Sequence, residues 1–173
     1  LANFEQGYLI LLHNEINEVG YIIEKAYEKG MIVVVNPSPM NEKILACDLK
    51  KVSMFLMNED EGMAITGKQE PADILAAMTE MYPDAQTVLT LGSKGSVYQG
   101  NGRTIEQKAF RVKAVDTTAA GDTFTGYFLA GLCEGLPIPE VLKMSAKASS
   151  IAVSRAGAVP SIPFREEVMA ALV

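Results

Sequence analysis

The chain has 173 residues, of which 49% are hydrophobic, and its formal net charge is -6. A chain of this length and composition buries a substantial core, so we expect one ordered domain over residues 1–173 rather than a disordered protein. The negative charge disfavours nucleic acid as a partner, the apolar runs are too short to cross a membrane, and no basic segment precedes an apolar stretch as in a secretory signal.

Apolar runs of strand length alternate with segments of helical periodicity. This alternation is typical of a parallel α/β sheet. In chain order it predicts a strand at Tyr8–Leu12, a helix with apolar positions from Ile16 to Ala26 that Gly30 ends, strands at Met31–Val35 and Ser53–Met57, a helix beginning at Pro71, a strand at Thr87–Leu91, a hairpin of Ser96–Gln99 and Arg103–Lys108, and helices at Gly121–Cys133, Pro139–Ser154 and Phe164–Leu172.

Polar or glycine-rich loops follow several of the predicted strands. Asn36, Asn58–Glu61 and Gly92–Gly95 each lie just beyond the carboxyl end of a strand. In open α/β sheets, ligands bind at that edge. We therefore expect these loops to share one binding edge of the sheet.

The run Val115–Phe128 is the most informative stretch of the chain. Its small residues end in Gly121-Asp122 and open directly onto an apolar helical pattern. Free backbone N–H groups and the helix dipole make such a helix start favourable for anions, and Asp122 adds a carboxylate that can act as a base. The alternative is an ordinary loop in which Asp122 only caps the helix. The small residues before Asp122 favour the anion site, as phosphoryl transfer to a hydroxyl requires.

The segment D-T-T-A-A-G-D-T-F-T-G, which begins at Asp116, resembles the C-terminal signature of the ribokinase-like (phosphofructokinase B type) carbohydrate kinases. Asn58–Glu61 resembles the N-x-x-E motif of that family, Thr90–Gly95 resembles its nucleotide loop, and Ile151–Phe164 is similar to its C-terminal segment. The resemblance implies a three-layer, Rossmann-like and mostly parallel sheet with helices on both faces. It covers only the C-terminal part of that fold, so we expect the N-terminal part and the lid over the sugar to be missing.

The resemblance also implies an activity, the ATP-dependent phosphorylation of a sugar hydroxyl with ribose as the expected sugar. Asp122 is the implied base and contacts the acceptor, and the amides of Ala119, Ala120, Gly121 and Asp122 stabilise charge on the transferred group. The implied nucleotide contacts are Asn58, Thr90, Leu91, Gly92, Ser93, Lys94, Gly95, Gly121 and Asp122.

Two cations and a sugar contact follow from the same resemblance. Asn58 and Glu61 are expected to organise Mg²⁺, and Glu15 is expected to contact the sugar. The implied K⁺ ligands are Asp116, Thr118, Ala152, Arg155, Gly157 and Ser161. This chain departs from the family at His13, where ribokinases carry Gln, and at Ala146, where Asn or His is frequent near the adenine. The purine contacts are therefore expected to differ.

Other functions stay open. The acceptor can be fructose, another sugar or a nucleoside, and the chain alone can be a truncated nucleotide-binding module without activity. A dinucleotide-dependent oxidoreductase is disfavoured, because no G-x-G-x-x-G follows a predicted strand. Cys47 and Cys133 lie far apart and near no histidine cluster, so we expect reduced core thiols and a cytoplasmic protein. The expected partners are a sugar and ATP, and a homodimer is left open.

Overall fold

Six short strands form one sheet whose spatial order follows the chain order. The computed structural model describes Leu1 and residues 3–172. The strands are β1 (Leu9–His13), β2 (Ile32–Asn36), β3 (Met54–Asn58), β4 (Gln86–Thr90), β5 (Ser96–Gly100) and β6 (Arg103–Gln107). Strands β1 to β4 pair in parallel. Asn101 and Gly102 join β5 to β6 with positive φ at both residues, the two-residue turn typical of a hairpin. The predicted mostly parallel sheet is confirmed.

The first three strands each begin and end one residue later than predicted, and β4 begins and ends one residue earlier. The polar residues that were expected to start the loops still pair in the sheet, as His13 does with Asn36 and Asn58 with Thr90. A polar side chain at a strand end leaves the backbone free to continue the hydrogen-bond ladder. A polar residue at the end of an apolar run therefore does not mark the last residue that pairs with the neighbouring strand.

The helices of the described chain are α1 (Val19–Glu28), α2 (Glu42–Leu45), α3 (Glu59–Thr66), α4 (Pro71–Met81), α5 (Ala120–Cys133), α6 (Ile138–Val153) and α7 (Arg165–Ala170). Pro71 occupies the first turn of α4, where its missing N–H costs nothing. Helix α2 was not predicted, because its four residues are too few to show a period. None of the described helices combines the length and the apolar character needed to span a membrane.

The described chain divides into two compact units. The first unit comprises Leu1–Thr90 with Tyr98–Thr104, and the second comprises Leu91–Val97 with Ile105–Val173. The single domain over residues 1–173 stays a prediction, and residues 2 and 173 lie outside the described part of the chain.

Each unit has its own buried side chains. In the first unit, Val34 of β2 and Phe55 of β3 are completely buried. In the second unit, a Cβ atom at Gly131 of α5 would lie 3.0 Å from Val141 of α6, so these two helices pack closely. The thiols Cys47 and Cys133 are free, but the prediction that both lie in the core was wrong. Cys47 is half-buried and Cys133, the last residue of α5, is exposed.

Candidate active site

The carboxyl ends of β1 to β4 form a polar edge within the first unit. The last residues of these strands are His13, Asn36, Asn58 and Thr90. The parallel register brings the first two opposite each other, and likewise the last two. The Thr90 hydroxyl also donates to the Met57 carbonyl at 3.3 Å. The chain thus places several of its predicted site residues along one sheet edge.

Asn58 and Glu61 begin α3 with a reciprocal pair of hydrogen bonds. The Asn58 Oδ1 atom accepts the Glu61 N–H at 2.9 Å, and the Glu61 Oε2 atom accepts the Asn58 N–H at 2.9 Å. This capping box satisfies two backbone donors of the helix start. It also holds both of the predicted Mg²⁺-organising side chains in fixed positions.

Glu61 is a buried residue, only 6% exposed. Burial raises the pKa of Glu61 above its usual value, although hydrogen bonds from the Asn58 N–H and the Ser38 side chain oppose the rise. The negative charge of Asp60 raises this pKa further, and His13 lowers it. Because the folded-state pKa of Glu61 is raised, ionisation of its carboxyl group lowers the free energy of unfolding at higher pH. This loss of stability shrinks as the pH falls through the raised pKa and is gone below the pKa that the group has in the unfolded chain.

A Mg²⁺ ion fits this buried carboxylate, because a cation beside it would offset the cost of its ionisation. No group of three or more His, Cys, Asp or Glu side chains among the described residues is arranged to hold a metal. Mg²⁺ needs no such group, since it binds through one or two carboxylates together with water and phosphate oxygens. The sequence analysis assigned no role to Ser38 or His13, which both lie near Glu61. The only sequence feature that could have pointed to Ser38 is its place in the N-P-S-P loop after β2.

Glu15 lines a cavity of about 400 Å³ in the first unit, between the β1–α1 loop and the segment around α2. Asn41, Lys43 and Cys47 line the same cavity. The Cys47 thiol donates to the Lys43 carbonyl at 3.3 Å, and burial raises the pKa of this thiol. The predicted sugar contact thus faces a polar cavity rather than a packed interior.

Of the predicted nucleotide loop Thr90–Gly95, Thr90 ends β4 in the first unit, and the residues from Leu91 to Gly95 form a tight turn in the second unit. The Leu91 N–H donates to the Gly95 carbonyl at 2.8 Å, and Gly92–Lys94 form a short 3₁₀ helix. Gly95 has a φ of 115°, and a Cβ atom there would lie 2.0 Å from the Gln107 carbonyl oxygen. Only glycine fits that position.

The part of the family signature that precedes α5, residues 115–119, turns sharply, and we call it the signature loop. The Asp116 Oδ1 atom accepts the Thr118 N–H at 2.9 Å, and the Ala120 N–H donates to the Thr117 carbonyl at 3.2 Å. Ala119 has the left-handed φ of 61° and directly precedes the helix. Of the four amides that were predicted to contact an anion, that of Ala120 thus already has a partner within the loop.

Gly121 and Asp122 are exposed in the first turn of α5. The N–H groups at these positions have no acceptor one turn earlier in the helix. Beyond the adjacent backbone of α5, a Cβ atom at Gly121 would meet no atom of the described residues within 4 Å. Thr123, which sequence reasoning missed, is 3% exposed, and its hydroxyl has no hydrogen-bond partner among the described residues. The helix start therefore offers backbone donors and a carboxylate to an open space.

Asp116 also holds the turn that follows α6. Its Oδ2 atom accepts the Gly157 N–H at 2.9 Å. Hydrogen bonds from the side chain and N–H of Thr118, and then from the Gly157 N–H, lower the pKa of Asp116 below its usual value. The structure thus brings three predicted K⁺ ligands together, namely Asp116, Thr118 and Gly157.

The other predicted K⁺ ligands lie in the same unit. The Ala152 carbonyl accepts the Arg155 N–H at 3.0 Å, and the Arg155 guanidinium pairs with the Glu167 carboxylate. Ser161 is completely buried and donates to the Ala158 carbonyl at 2.6 Å. Carbonyl, carboxylate and hydroxyl oxygens keep a second lone pair when they accept one hydrogen bond. This oxygen-only set fits a hard monovalent cation.

Helix α6 contacts the signature loop through two further residues. The Ser149 hydroxyl donates to the Ala120 carbonyl at 3.0 Å. The Val153 carbonyl accepts the N–H groups of Val115 at 2.8 Å and Asp116 at 3.2 Å. Sequence reasoning missed Ser149, because a serine within an apolar helical period is indistinguishable from a small packing residue.

Known proteins resemble this chain in sequence and in fold. The pfkB family carbohydrate kinase profile matches residues 16–165. The ribokinase of Haemophilus influenzae is 34% identical over 166 residues, which are 93% of this chain and 54% of that protein. The structure of Arabidopsis thaliana ribokinase complexed with ribose and ATP has a TM-score of 0.82 and 30% identity, covering 95% of this chain and 55% of the other. Ribokinase from Cryptococcus neoformans var. grubii in complex with ADP has a TM-score of 0.84 and 26% identity, covering 94% and 61%.

This chain spans about half the length of the curated relatives that it matches. The ribokinase-like α/β fold is confirmed, and so is the family resemblance stated from the four motifs. Because the family profile covers most of the residues and its signature forms the open start of α5, the chain belongs to the pfkB family of carbohydrate kinases.

Proposed function

We propose that the protein carrying this chain is a ribokinase, which transfers the γ-phosphoryl group of ATP to a hydroxyl of ribose. Membership of a carbohydrate kinase family supports phosphoryl transfer to a sugar. The relative from Arabidopsis thaliana, whose structure is complexed with ribose and ATP, supports the two substrates. The observation that carries the proposal is the open start of α5, where Gly121 and Asp122 are exposed and where, beyond the adjacent backbone of α5, no described atom lies within 4 Å of a Cβ placed at Gly121.

Asp122 acts as the base in this proposal. Its carboxylate accepts the proton of the sugar hydroxyl while the hydroxyl oxygen bonds to the γ-phosphorus and ADP leaves. The N–H groups of Ala119, Gly121 and Asp122 donate to the oxygens of the transferred group and stabilise the negative charge that is spread over these oxygens in the transition state. The Ala120 N–H contributes only where it shares its hydrogen between the loop carbonyl and the substrate.

The remaining predicted residues bind and orient. Asn58 and Glu61 hold Mg²⁺, which supplies neutralisation of phosphate charge when it is bound. Glu15 contacts the sugar. Thr90 and Leu91–Gly95 contact the nucleotide, with the glycines allowing close approach to the backbone and Lys94 lying near a phosphate or the ribose. The residues that hold K⁺ are Asp116, Thr118, Ala152, Arg155, Gly157 and Ser161.

The proposal extends to the cytoplasm, which the two free thiols fit, and it leaves a homodimer open. One observation favours a second candidate function. The chain spans 54% of the Haemophilus influenzae relative, so these residues alone can form a nucleotide-binding module without turnover. Assays of ADP release with ribose, fructose and a nucleoside, with and without K⁺, distinguish the acceptors.

The substitution Asp122→Asn tests the role of the base. We expect kcat of the intact protein to fall by about 10²- to 10⁴-fold, because general base catalysis contributes that much, while ATP still binds. The measurement is steady-state ADP release together with calorimetric titration of ATP.

Asp73→Asn is the matched control, because Asp73 is the third residue of α4 as Asp122 is of α5. Both substitutions remove a carboxylate from the first turn of a helix. Asp73→Asn should leave kcat unchanged. Near-normal turnover by Asp122→Asn would show that Asp122 is not the base.

A further inference from the structure

One hydrogen bond joins the last third of α6, the longest described helix of the second unit, to the start of α5. The Ser149 hydroxyl of α6 donates to the Ala120 carbonyl oxygen at 3.0 Å. This carbonyl and the Gly121 N–H belong to the same planar peptide group and point in opposite directions. Any bond that fixes the carbonyl therefore also fixes the direction of the Gly121 N–H.

The other serines of α6 bond within their own helix. The Ser145 hydroxyl donates to the Val141 carbonyl at 2.7 Å, and the Ser150 hydroxyl donates to the Lys147 carbonyl at 2.7 Å. That local bond is the usual one for a serine inside a helix. The Ser149 hydroxyl instead donates to a carbonyl of another helix, α5, which the hydroxyls of Ser145 and Ser150 do not.

Three residues spaced four apart, namely Ser149, Val153 and Gly157, form hydrogen bonds with the signature loop or with the start of α5 that follows it, and we call them attachment points. The Val153 carbonyl accepts from Val115 and Asp116, and the Gly157 N–H donates to Asp116. Ser149 and Val153 lie about one turn apart at the C-terminal end of α6, and both contact the loop before α5 or the start of α5, Ser149 through its side chain and Val153 through its carbonyl. The attachment at Ser149 is the one that reaches the peptide group of the proposed anion contact.

We propose that Ser149 is a positioning residue, which orients and polarises the Gly121 N–H for the transferred phosphoryl group. The inference rests on the proposed function. A hydrogen bond to a peptide carbonyl polarises that peptide group, so the N–H on its other side becomes a stronger donor. A donor that is fixed in advance favours the transition state more than the ground state. It needs no reorientation when the charge on the phosphoryl oxygens is redistributed during transfer.

The substitution Ser149→Ala tests this role, with Ser149→Thr as the variant that keeps the hydroxyl. In the intact protein we expect Ser149→Ala to lower kcat by about two- to ten-fold, the effect of one ordinary hydrogen bond, with little change in KM for ATP. Ser149→Thr should restore most of the rate. Ser150→Ala is the matched control and should match the wild type, because its hydroxyl bonds only within α6.

A local measurement separates this inference from the proposed function. Labelling the intact protein with ¹⁵N-glycine gives a signal for each glycine, including the 14 of this chain, and that of Gly121 is assigned as the one lost in Gly121→Ala. Without any nucleotide, Ser149→Ala should shift the Gly121 amide proton upfield, because the N–H becomes a weaker donor, and Ser150→Ala should leave it in place.

An unchanged Gly121 amide in Ser149→Ala would overturn the inference, and so would an equal loss of kcat in Ser150→Ala or a failure of Ser149→Thr to recover. A wild-type protein that releases no ADP with any acceptor would overturn the proposed function instead. In that case a Gly121 shift in Ser149→Ala would still support the attachment, because this signal needs no turnover.

Discussion

Gly121 and Gly126 are two glycines of the same helix that packing does not explain. Both lie within α5, and a Cβ atom at either position would meet no described atom within 4 Å apart from the adjacent backbone of the helix. A glycine inside a helix costs about 1 kcal/mol of stability relative to alanine. Gly126 carries that cost in the middle of α5, whereas Gly121 carries it where the helix presents its free N–H groups. We infer that Gly121 leaves room for a phosphate oxygen to approach the backbone.

The pair Gly121→Ala and Gly126→Ala tests this interpretation. Both substitutions should raise the free energy of unfolding by up to about 1 kcal/mol, because alanine favours the helix. Only Gly121→Ala should lower phosphoryl transfer, by more than about ten-fold, because its methyl group occupies the approach to the amides. Thermal unfolding and ADP release measure the two effects. Wild-type turnover in Gly121→Ala would contradict the close approach.

The acidic run after β3 shows where residue-scale prediction stops. The letters N-E-D-E suggest either a metal site or a solvated helix start, and three adjacent carboxyl groups look alike in the sequence. The structure distinguishes them, since Asp60 is exposed and Glu61 is 6% exposed. The capping box could be predicted from Asn58 and Glu61, three residues apart. The burial of Glu61 beside Ser38 could not, because Ser38 comes from a different loop.

At the scale of elements, Asp116 joins two segments that are 41 residues apart in the chain. One of its carboxylate oxygens accepts the Thr118 N–H and the other accepts the Gly157 N–H. These bonds favour the ionised form, which is why they lower the pKa of Asp116 from its usual 3.8. The shape of the loop before α5 therefore depends on a negative charge.

The substitution Asp116→Asn tests this dependence through pH. Because the folded-state pKa is lowered, the ionised side chain stabilises the fold above its ordinary pKa, and this stabilisation is lost as the pH falls through the lower folded value. We expect Asp116→Asn to melt at a lower temperature than the wild type near neutral pH, since its amide NH₂ faces an N–H donor. The difference should shrink steadily once the pH falls below about 4.

Asp84→Asn, at an exposed turn before β4, serves as the control for the loss of a carboxylate. Its melting temperature should stay close to that of the wild type throughout the pH range. A constant difference between Asp116→Asn and the wild type at every pH would show that the charge of Asp116 does not hold the loop.

The elements themselves were largely predictable. Helices α5 and α6 lie within one residue of their predicted bounds. In each, apolar residues repeat with helical spacing over many residues, and this pattern shows clearly where the helix runs. The strand ends were displaced by one residue, because the ladder continues through polar residues such as His13 and Asn58. Contacts between distant segments, such as that of Ser149 with Ala120, have no local pattern and could not be predicted.

At the scale of the whole chain, the predicted residues are divided between the two units. Glu15, Asn58, Glu61 and Thr90 belong to the first unit, and the residues from Leu91 onward that bear on the nucleotide and K⁺ belong to the second. The motifs of the sequence were sufficient to identify the family, because the signature is long. They were not sufficient to identify the acceptor, because relatives carry almost half of their length outside the matched region.

Titration of Mg-ATP into the 173-residue chain tests how far these residues act alone. We expect measurable binding, because the α5 start and the nucleotide loop are both formed, and no phosphorylation of ribose without the region that relatives carry beyond the match. Calorimetry and a coupled ADP assay are the measurements, and Gly121→Ala is the control that should weaken binding. Ribose-dependent turnover by this chain, or no heat of binding, would contradict the expectation.

The spacing of the attachment points along α6 has a consequence for how this chain can change. Each residue of an α-helix turns the following ones by about 100°, so one inserted or deleted residue between Ser149 and Val153 would move one attachment away from the signature loop. Substitutions on the opposite face of α6 leave that geometry intact. Homologous chains that keep the same loop should therefore vary in composition along this stretch far more than they vary in its length.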